Sequence, residues 1–91
     1  MKTDMNKSQE EFLRQVLKER KYQREKWGPS ELNHSKEDWV GILCGEVLEA
    51  IAAVNNPESV KDDRHSYESA IIQIAAVCMA AFEAPFTPRE I

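Results

Sequence analysis

The sequence predicts an all-α fold: three main antiparallel helices, at about residues 8–27, 36–55 and 58–84, forming a helical bundle completed by oligomerisation. Three observations predict it. Only 3 glycines and 4 prolines occur in 91 residues, and they cluster between long periodic segments, as breakers do in helical proteins. No strand-like alternation of useful length and no internal repeat interrupts those segments. The stretch Ala70 to Phe82 is apolar all round except for Gln73. A helix without a polar face needs cover on every side, more than two partner helices from one chain supply. That stretch is also too short to cross a bilayer. A homodimer or higher homo-oligomer is therefore expected.

The first helix is expected to start near Ser8, which stands three residues before Glu11 in capping-box spacing, with Leu13, Val16 and Leu17 following at helical intervals. Gly28-Pro29 ends it. Continued by further turns, its apolar stripe runs through Arg20 and Gln23 or Arg24 to Trp27, so the inner face turns polar. Such a stripe is either a solvated helix end or the wall of a polar cavity; helix geometry alone favours the solvated end. Ser35 and Asp38 form a second cap, launching the middle helix at Lys36 and carrying it to Asn55. Asn56-Pro57 then breaks the chain, with Asn as cap and Pro at a first helical position. The last helix begins between Pro57 and His65 and runs to about Ala84, where Pro85 and Pro88 close the structure. The chain reads as one domain over residues 1–91, with 1–7 and 85–91 loose.

A hydrophobic content of 42% with 31% charged residues places a chain of this length near the lower limit for a self-sufficient core. The net charge of −4 and isoelectric point near 5.2 supply no basic stripe to release counterions from a phosphate backbone, so no DNA or RNA partner is expected. No leader-like apolar run and no stretch of about 18–20 apolar residues occurs, so a cytoplasmic protein with no membrane partner is expected. Cys44 and Cys78 each sit in an apolar stretch and read as buried free thiols. Neither His34 nor His65 stands at metal-ligand spacing from them.

The middle helix is apolar nearly all round from Trp39 to Val54, which makes Glu46 and Glu49 conspicuous. At about 100° per residue they lie roughly 60° apart, on a strip shared with Ile42, Gly45 and Ala53. Two carboxylates so placed converge on one ion, and Mg²⁺ is the usual occupant of oxygen-only sites. The ordinary alternative is a strip that faces water. Gln73 is the one polar residue of its stretch, on a strip with Ser66, Ser69, Ala80 and, for an early helix start, Asp62. It reads either as a satisfied core amide or as part of a cavity shared with Glu46 and Glu49. Glu68 lies about 160° around the helix from Gln73 and does not join that strip.

Three blocks carry a resemblance: Glu19-Arg20-Lys21-Tyr22-Gln23-Arg24-Glu25-Lys26-Trp27-Gly28 with Asn33-His34, the run Trp39 to Glu49, and the run Ile72 to Val77. They are similar to small MazG-like nucleoside triphosphate pyrophosphohydrolases, all-α proteins often encoded by phages. The likeness spans roughly residues 10–84, and its first block is the most specific. The resemblance implies cleavage of a nucleoside triphosphate to monophosphate and pyrophosphate with Mg²⁺ as cofactor, in a dimer or higher oligomer. It implies Glu46 and Glu49 as metal ligands, with Gln73 as an auxiliary ligand. It also brings Arg20, Gln23, Lys26 and Trp27 to the nucleotide, Arg20 or Lys26 against phosphate and Trp27 against the base. More ordinary roles for Arg20 and Trp27 are a surface ion pair and core packing.

The family pattern is Glu-Glu-x-x-Glu on one helix and Glu-x-x-Asp on the next, and the chain departs from it. Gly45 stands at the first acid, Ala70 and Gln73 stand at the second pair, and Leu48 replaces a small glycine, where it is expected to crowd the helix contact. The resemblance therefore implies a weak Mg²⁺ site and two functional readings. One is a weakly active or inactive pyrophosphohydrolase relative. The other is a non-catalytic regulator or inhibitor that binds a nucleotide or a host protein on the same helical oligomer. A purely structural adaptor would leave Glu46 and Glu49 without a purpose.

Overall fold

The start of the first helix is set by Asn6, two residues before the expected cap. Its side chain accepts a 2.9 Å hydrogen bond from the Gln9 backbone N–H, and the Gln9 side chain accepts one from the Asn6 N–H at 3.0 Å. Asn and Ser are comparable caps and Gln serves as Glu does at the third position, so the same box closes earlier and lengthens the helix. Ser8 is correspondingly not the cap; its hydroxyl donates to Asn6 Oδ1 at 2.7 Å. In this computed structural model, which describes residues 6–59 and 63–84, α1 is Lys7–Trp27, α2 is Lys36–Asn55 and α3 is Tyr67–Glu83. Asn6 and Lys7 thus belong to the ordered start of α1, while residues 1–5 and 85–91 lie outside the described residues.

Gly28 ends α1 at φ 68°, a left-handed backbone that favours glycine, with its N–H donating to Arg24 O. A 3-10 turn, Gly28–Asn33, leads to α2. The Ser35 hydroxyl accepts from Asp38 N at 3.1 Å and the Asp38 carboxylate accepts from Ser35 N at 3.0 Å, as the cap spacing predicts. Those hydrogen bonds hold the Asp38 carboxyl below its ordinary range.

The third helix departs from expectation. It begins at Tyr67, not near 58, and is preceded by 3-10 turns at Pro57–Ser59 and Asp63–His65. Pro57 supports one short turn, whereas the Ser66 hydroxyl accepts from Ser69 N at 3.1 Å and defines a true α-helical start. Ser66 is therefore a cap and not a member of the inner strip. Asp62 lies outside the described residues.

Helix α3 packs against both α1 and α2, which do not approach each other directly through their backbones. Its inner face is built from Ala70, Ala76, Val77, Ala80 and Ala84, all buried. Trp39, near the start of α2, packs on Val77 and Ala80 in the second half of α3 and on Ala84, which caps that helix. Farther along α2, Glu46 and Glu49 meet His65, just before α3 begins, so α2 runs antiparallel to α3. At the end of α3, Glu83 accepts from Arg20 Nε at 3.3 Å and from Arg24 Nη2 at 2.8 Å.

The outward faces stay apolar. Val40, Val47, Ile51 and Val54 of α2 and Tyr67 and Phe82 of α3 are exposed. Both cysteines lie on these faces, so the expectation of buried thiols is corrected: Cys44 and Cys78 are exposed because one chain brings no neighbour to cover them. Leu48 is 65% exposed and crowds no helix contact within the chain, contrary to the expectation for that position.

Ser35→Ala is expected to destabilise the chain by about 1 kcal/mol through loss of a cap. Glu83→Ala is expected to cost about 1–3 kcal/mol, because it removes the hydrogen bond that the buried Arg20 guanidinium donates from Nε. Urea denaturation followed by circular dichroism measures both.

Candidate functional site

Residues 19, 22, 23, 26 and 27 recur at the three- and four-residue intervals that share one side of a helix. The spacing puts Glu19, Tyr22, Gln23, Lys26 and Trp27 of α1 along one wall of a cavity of about 170 Å³. Glu46 and Glu49 form the α2 wall, the turn before α3 brings Arg64 and His65, and α3 contributes Gln73. The polar stripe of α1 is therefore not a solvated helix end. Arg20 is 3% exposed and Gln23 is 2% exposed.

The sequence-predicted residues meet with one exception. Glu46, Glu49, Gln73, Gln23, Lys26 and Trp27 all line the cavity. Arg20 does not; it is directed to Glu83 at the end of α3. The cation that reaches the cavity from the far side is Arg64. Its guanidinium makes a two-pronged contact with the Glu19 carboxylate at 3.1 and 2.9 Å and lies 4.3 Å from the centre of the Tyr22 ring. Both partners also border a larger open cleft of about 640 Å³ between α1 and α3, lined further by Arg14, Lys18, Ser66 and Ser69. Glu68 borders that cleft and not the cavity, as the helical wheel predicts.

Gln73 is at once a satisfied amide and a cavity residue. Its Nε2 donates to Arg64 O at 2.9 Å and to Ser69 Oγ at 3.0 Å, which uses both amide hydrogens and pins the turn before α3. Two other oxygens lack such partners: Gln23 Oε1 and Glu46 Oε2 are buried and accept no hydrogen bond. Buried acceptors without donors are costly, and both belong to residues lining this one cavity. Burial raises the Glu46 carboxyl above its ordinary range, the neighbouring charge and hydrogen bond of Glu49 push it further, and Glu19 adds to the effect. Arg64 opposes the shift.

Such a cavity suits a ligand that brings positive charge or donors. Mg²⁺ ordinarily keeps several waters and takes one or two protein carboxylates, which matches a single hydrated ion on Glu46 and Glu49 with an amide oxygen nearby. Among the described residues no three His, Cys, Asp or Glu side chains converge as a ready ligand set, so a pair of ions has no support. Two of the positions at which the resemblance leads one to expect acids fall at dissimilar places. Gly45 is exposed, with nothing within 4 Å of where a side chain would begin, whereas Ala70 is packed at 2% exposure.

Glu19, Tyr22, Arg64 and His65 were not singled out from the sequence. The first two share the periodic stripe of Gln23 and Lys26, a legible signal. The other two depend on the path of the chain after Pro57, which no periodicity reports.

Glu46→Gln tests the strain at this site. A raised carboxyl pKa in the folded state means a contribution to stability that is present below the ordinary glutamate value and lost as pH rises through the raised one. Ionised Glu46 therefore destabilises the fold near neutrality. The variant is expected to melt higher than the parent at pH 7, with the gap closing towards pH 4; an equal gap at both pH values would refute the assignment. Compared with known proteins, the chain matches no family model, no curated protein and no solved structure.

Proposed function

We propose that the protein is a MazG-like, nucleotide-binding homo-oligomer in which pyrophosphohydrolysis is weak or lost. The observation that carries the reading is the single cavity that gathers Glu46, Glu49 and Gln73 with Gln23, Lys26 and Trp27, the residues implied by the resemblance. At about 170 Å³ it is smaller than the roughly 300 Å³ at which small-molecule pockets begin, so it suits phosphate oxygens and a cation but not a whole nucleotide. The adjoining cleft of about 640 Å³ has room for the nucleoside.

Carboxylates repel phosphate, so an anionic ligand enters this cavity only with compensating charge. Mg²⁺ bound at Glu46 and Glu49 would supply that charge and polarise the phosphoryl group. Lys26 and Arg64 line the same walls and would hold the remaining phosphate charge. Trp27 offers an aromatic surface at the cavity edge. Two carboxylates where the family uses five acids leave little charge to hold ions and orient a water, which is the reason to expect feeble turnover.

Oligomerisation has its own support. Val40, Val47, Leu48, Ile51 and Val54 of α2 and Phe82 of α3 leave exposed apolar faces among the described residues, the kind of surface that marks an interaction site. A second copy on the exposed faces of α2 and α3 would cover Val47, Leu48, Ile51 and Phe82. The same apolar surface supports the second reading, a regulator or inhibitor that docks on a host protein.

Incubation with a panel of ribo- and deoxyribonucleoside triphosphates and Mg²⁺ or Mn²⁺ is expected to give turnover below about 1 s⁻¹, the lower end of ordinary enzymes. Calorimetry is expected to show nucleotide binding that Lys26→Ala weakens by about tenfold. Turnover at ordinary rates, abolished by Glu49→Gln, would overturn the weak-catalysis half; absence of binding by any nucleotide would overturn the other. Leu48→Asp with Ile51→Asp is expected to convert the oligomer to monomer in analytical ultracentrifugation.

A further inference from the structure

We propose that the cavity binds a primary alkylammonium group, which donates hydrogen bonds to Gln23 Oε1 and Glu46 Oε2. Such a ligand needs neither Mg²⁺ nor phosphate, so the site would serve it whether or not nucleotides bind. Two buried acceptors lack donors there. Gln23 lines the α1 wall at 2% exposure, and its Oε1 accepts no hydrogen bond. Glu46 lines the α2 wall, and its Oε2 is likewise buried and unpartnered. A buried acceptor without a donor costs free energy that a ligand recovers by supplying one.

The donors already on these walls are engaged elsewhere. Arg64 is committed to Glu19 through hydrogen bonds of 3.1 and 2.9 Å, and the proposal leaves that pair closed. Gln73 spends both amide hydrogens on Arg64 O and Ser69 Oγ. Lys26 is the chain's own primary ammonium in the lining, but it is exposed and its Nζ lies 5.9 Å from the centre of the Tyr22 ring. A hydroxyl from a ligand would bring one hydrogen and no charge. An ammonium brings three hydrogens on one atom together with a positive charge, enough for Gln23 Oε1, Glu46 Oε2 and the neighbouring Glu49 carboxylate. Its compact head suits a space of about 170 Å³. Glu49 and Lys26 are exposed members of the lining, so the cavity has an open side through which the carbon chain of the amine would pass, and the half-buried Trp27 offers that chain an apolar surface.

Methylammonium and butylammonium, titrated at constant ionic strength and followed by nuclear magnetic resonance, test this against tetramethylammonium, which carries the charge but no N–H. Both primary amines are expected to move the Gln23 side-chain amide signals saturably, and tetramethylammonium is expected to leave them in place. Gln23→Met keeps the length of the side chain but removes the acceptor, and is expected to weaken butylammonium binding roughly tenfold, read from the Trp27 indole signal. Glu46→Gln removes the charge and is expected to weaken it at least as much. Circular dichroism establishes that each variant is folded, and if one is not, the other carries the comparison. Equal binding of tetramethylammonium would mean attraction to charge alone and overturn the proposal, as would unchanged affinity in the folded variants. No saturable shift with either primary amine would also overturn it, and nucleotide binding in that same sample would leave the nucleotide reading standing.

Discussion

The structure depends on the inner face of α3, where Ala70, Ala76, Ala80 and Ala84 surround Val77. Small side chains let two other helices approach a single helix closely, and both α1 and α2 use it as their common support. Because α1 and α2 do not meet directly through their backbones, the space between them is bridged by α3 and the turn that precedes it. That space is the cavity. The same arrangement limits the core: its largest member, Trp39, packs on residues of α3 at one end, while the outer faces of α2 and α3 retain exposed valine, leucine, isoleucine and phenylalanine. A fold that buries so little within one chain gains most from contacts between chains.

Charge compensation is the second organising feature. Glu19, Glu46 and Glu49 share one small space, and the protein supplies Arg64, Lys26 and His65 to its walls. Arg64 is paired with Glu19 and offsets only part of the burial and like charge at Glu46, so the Glu46 carboxyl rises. Glu46 is therefore compensated only in part by the basic residues that share the cavity. Gln73 holds the turn that carries Arg64 to the cavity, so the amide links the helix scaffold to the electrostatics of the cavity.

Much of this was legible in the residues themselves. The cap of α2 at Ser35 and Asp38 appears as expected, because capping chemistry is local and the alternatives nearby are poorer. The cap of α1 was displaced to Asn6 because an equally good local solution lay two residues earlier. The strip of Glu46 and Gln73 was readable from helical periodicity, and the stripe of α1 pointed to Gln23, Lys26 and Trp27. The same stripe misdirected Arg20. A helical wheel assigns a side, but a long side chain on that side chooses among partners along the axis, and Arg20 pairs with Glu83.

By itself, the sequence determined the three helices and the polar residues out of place in them, because each follows from local spacing and composition. Tertiary structure alone decided that the polar stripe of α1 is a cavity wall, that the thiols face outward, and that Arg64 and not Arg20 meets the carboxylates. The thiols face outward because nothing in the chain covers them, whereas the placement of Arg64 depends on how the segment Asp63–His65 turns toward α1. The segment has no periodicity to read, and its position is fixed by contacts as specific as Gln73 to the Arg64 carbonyl and Arg64 to Glu19.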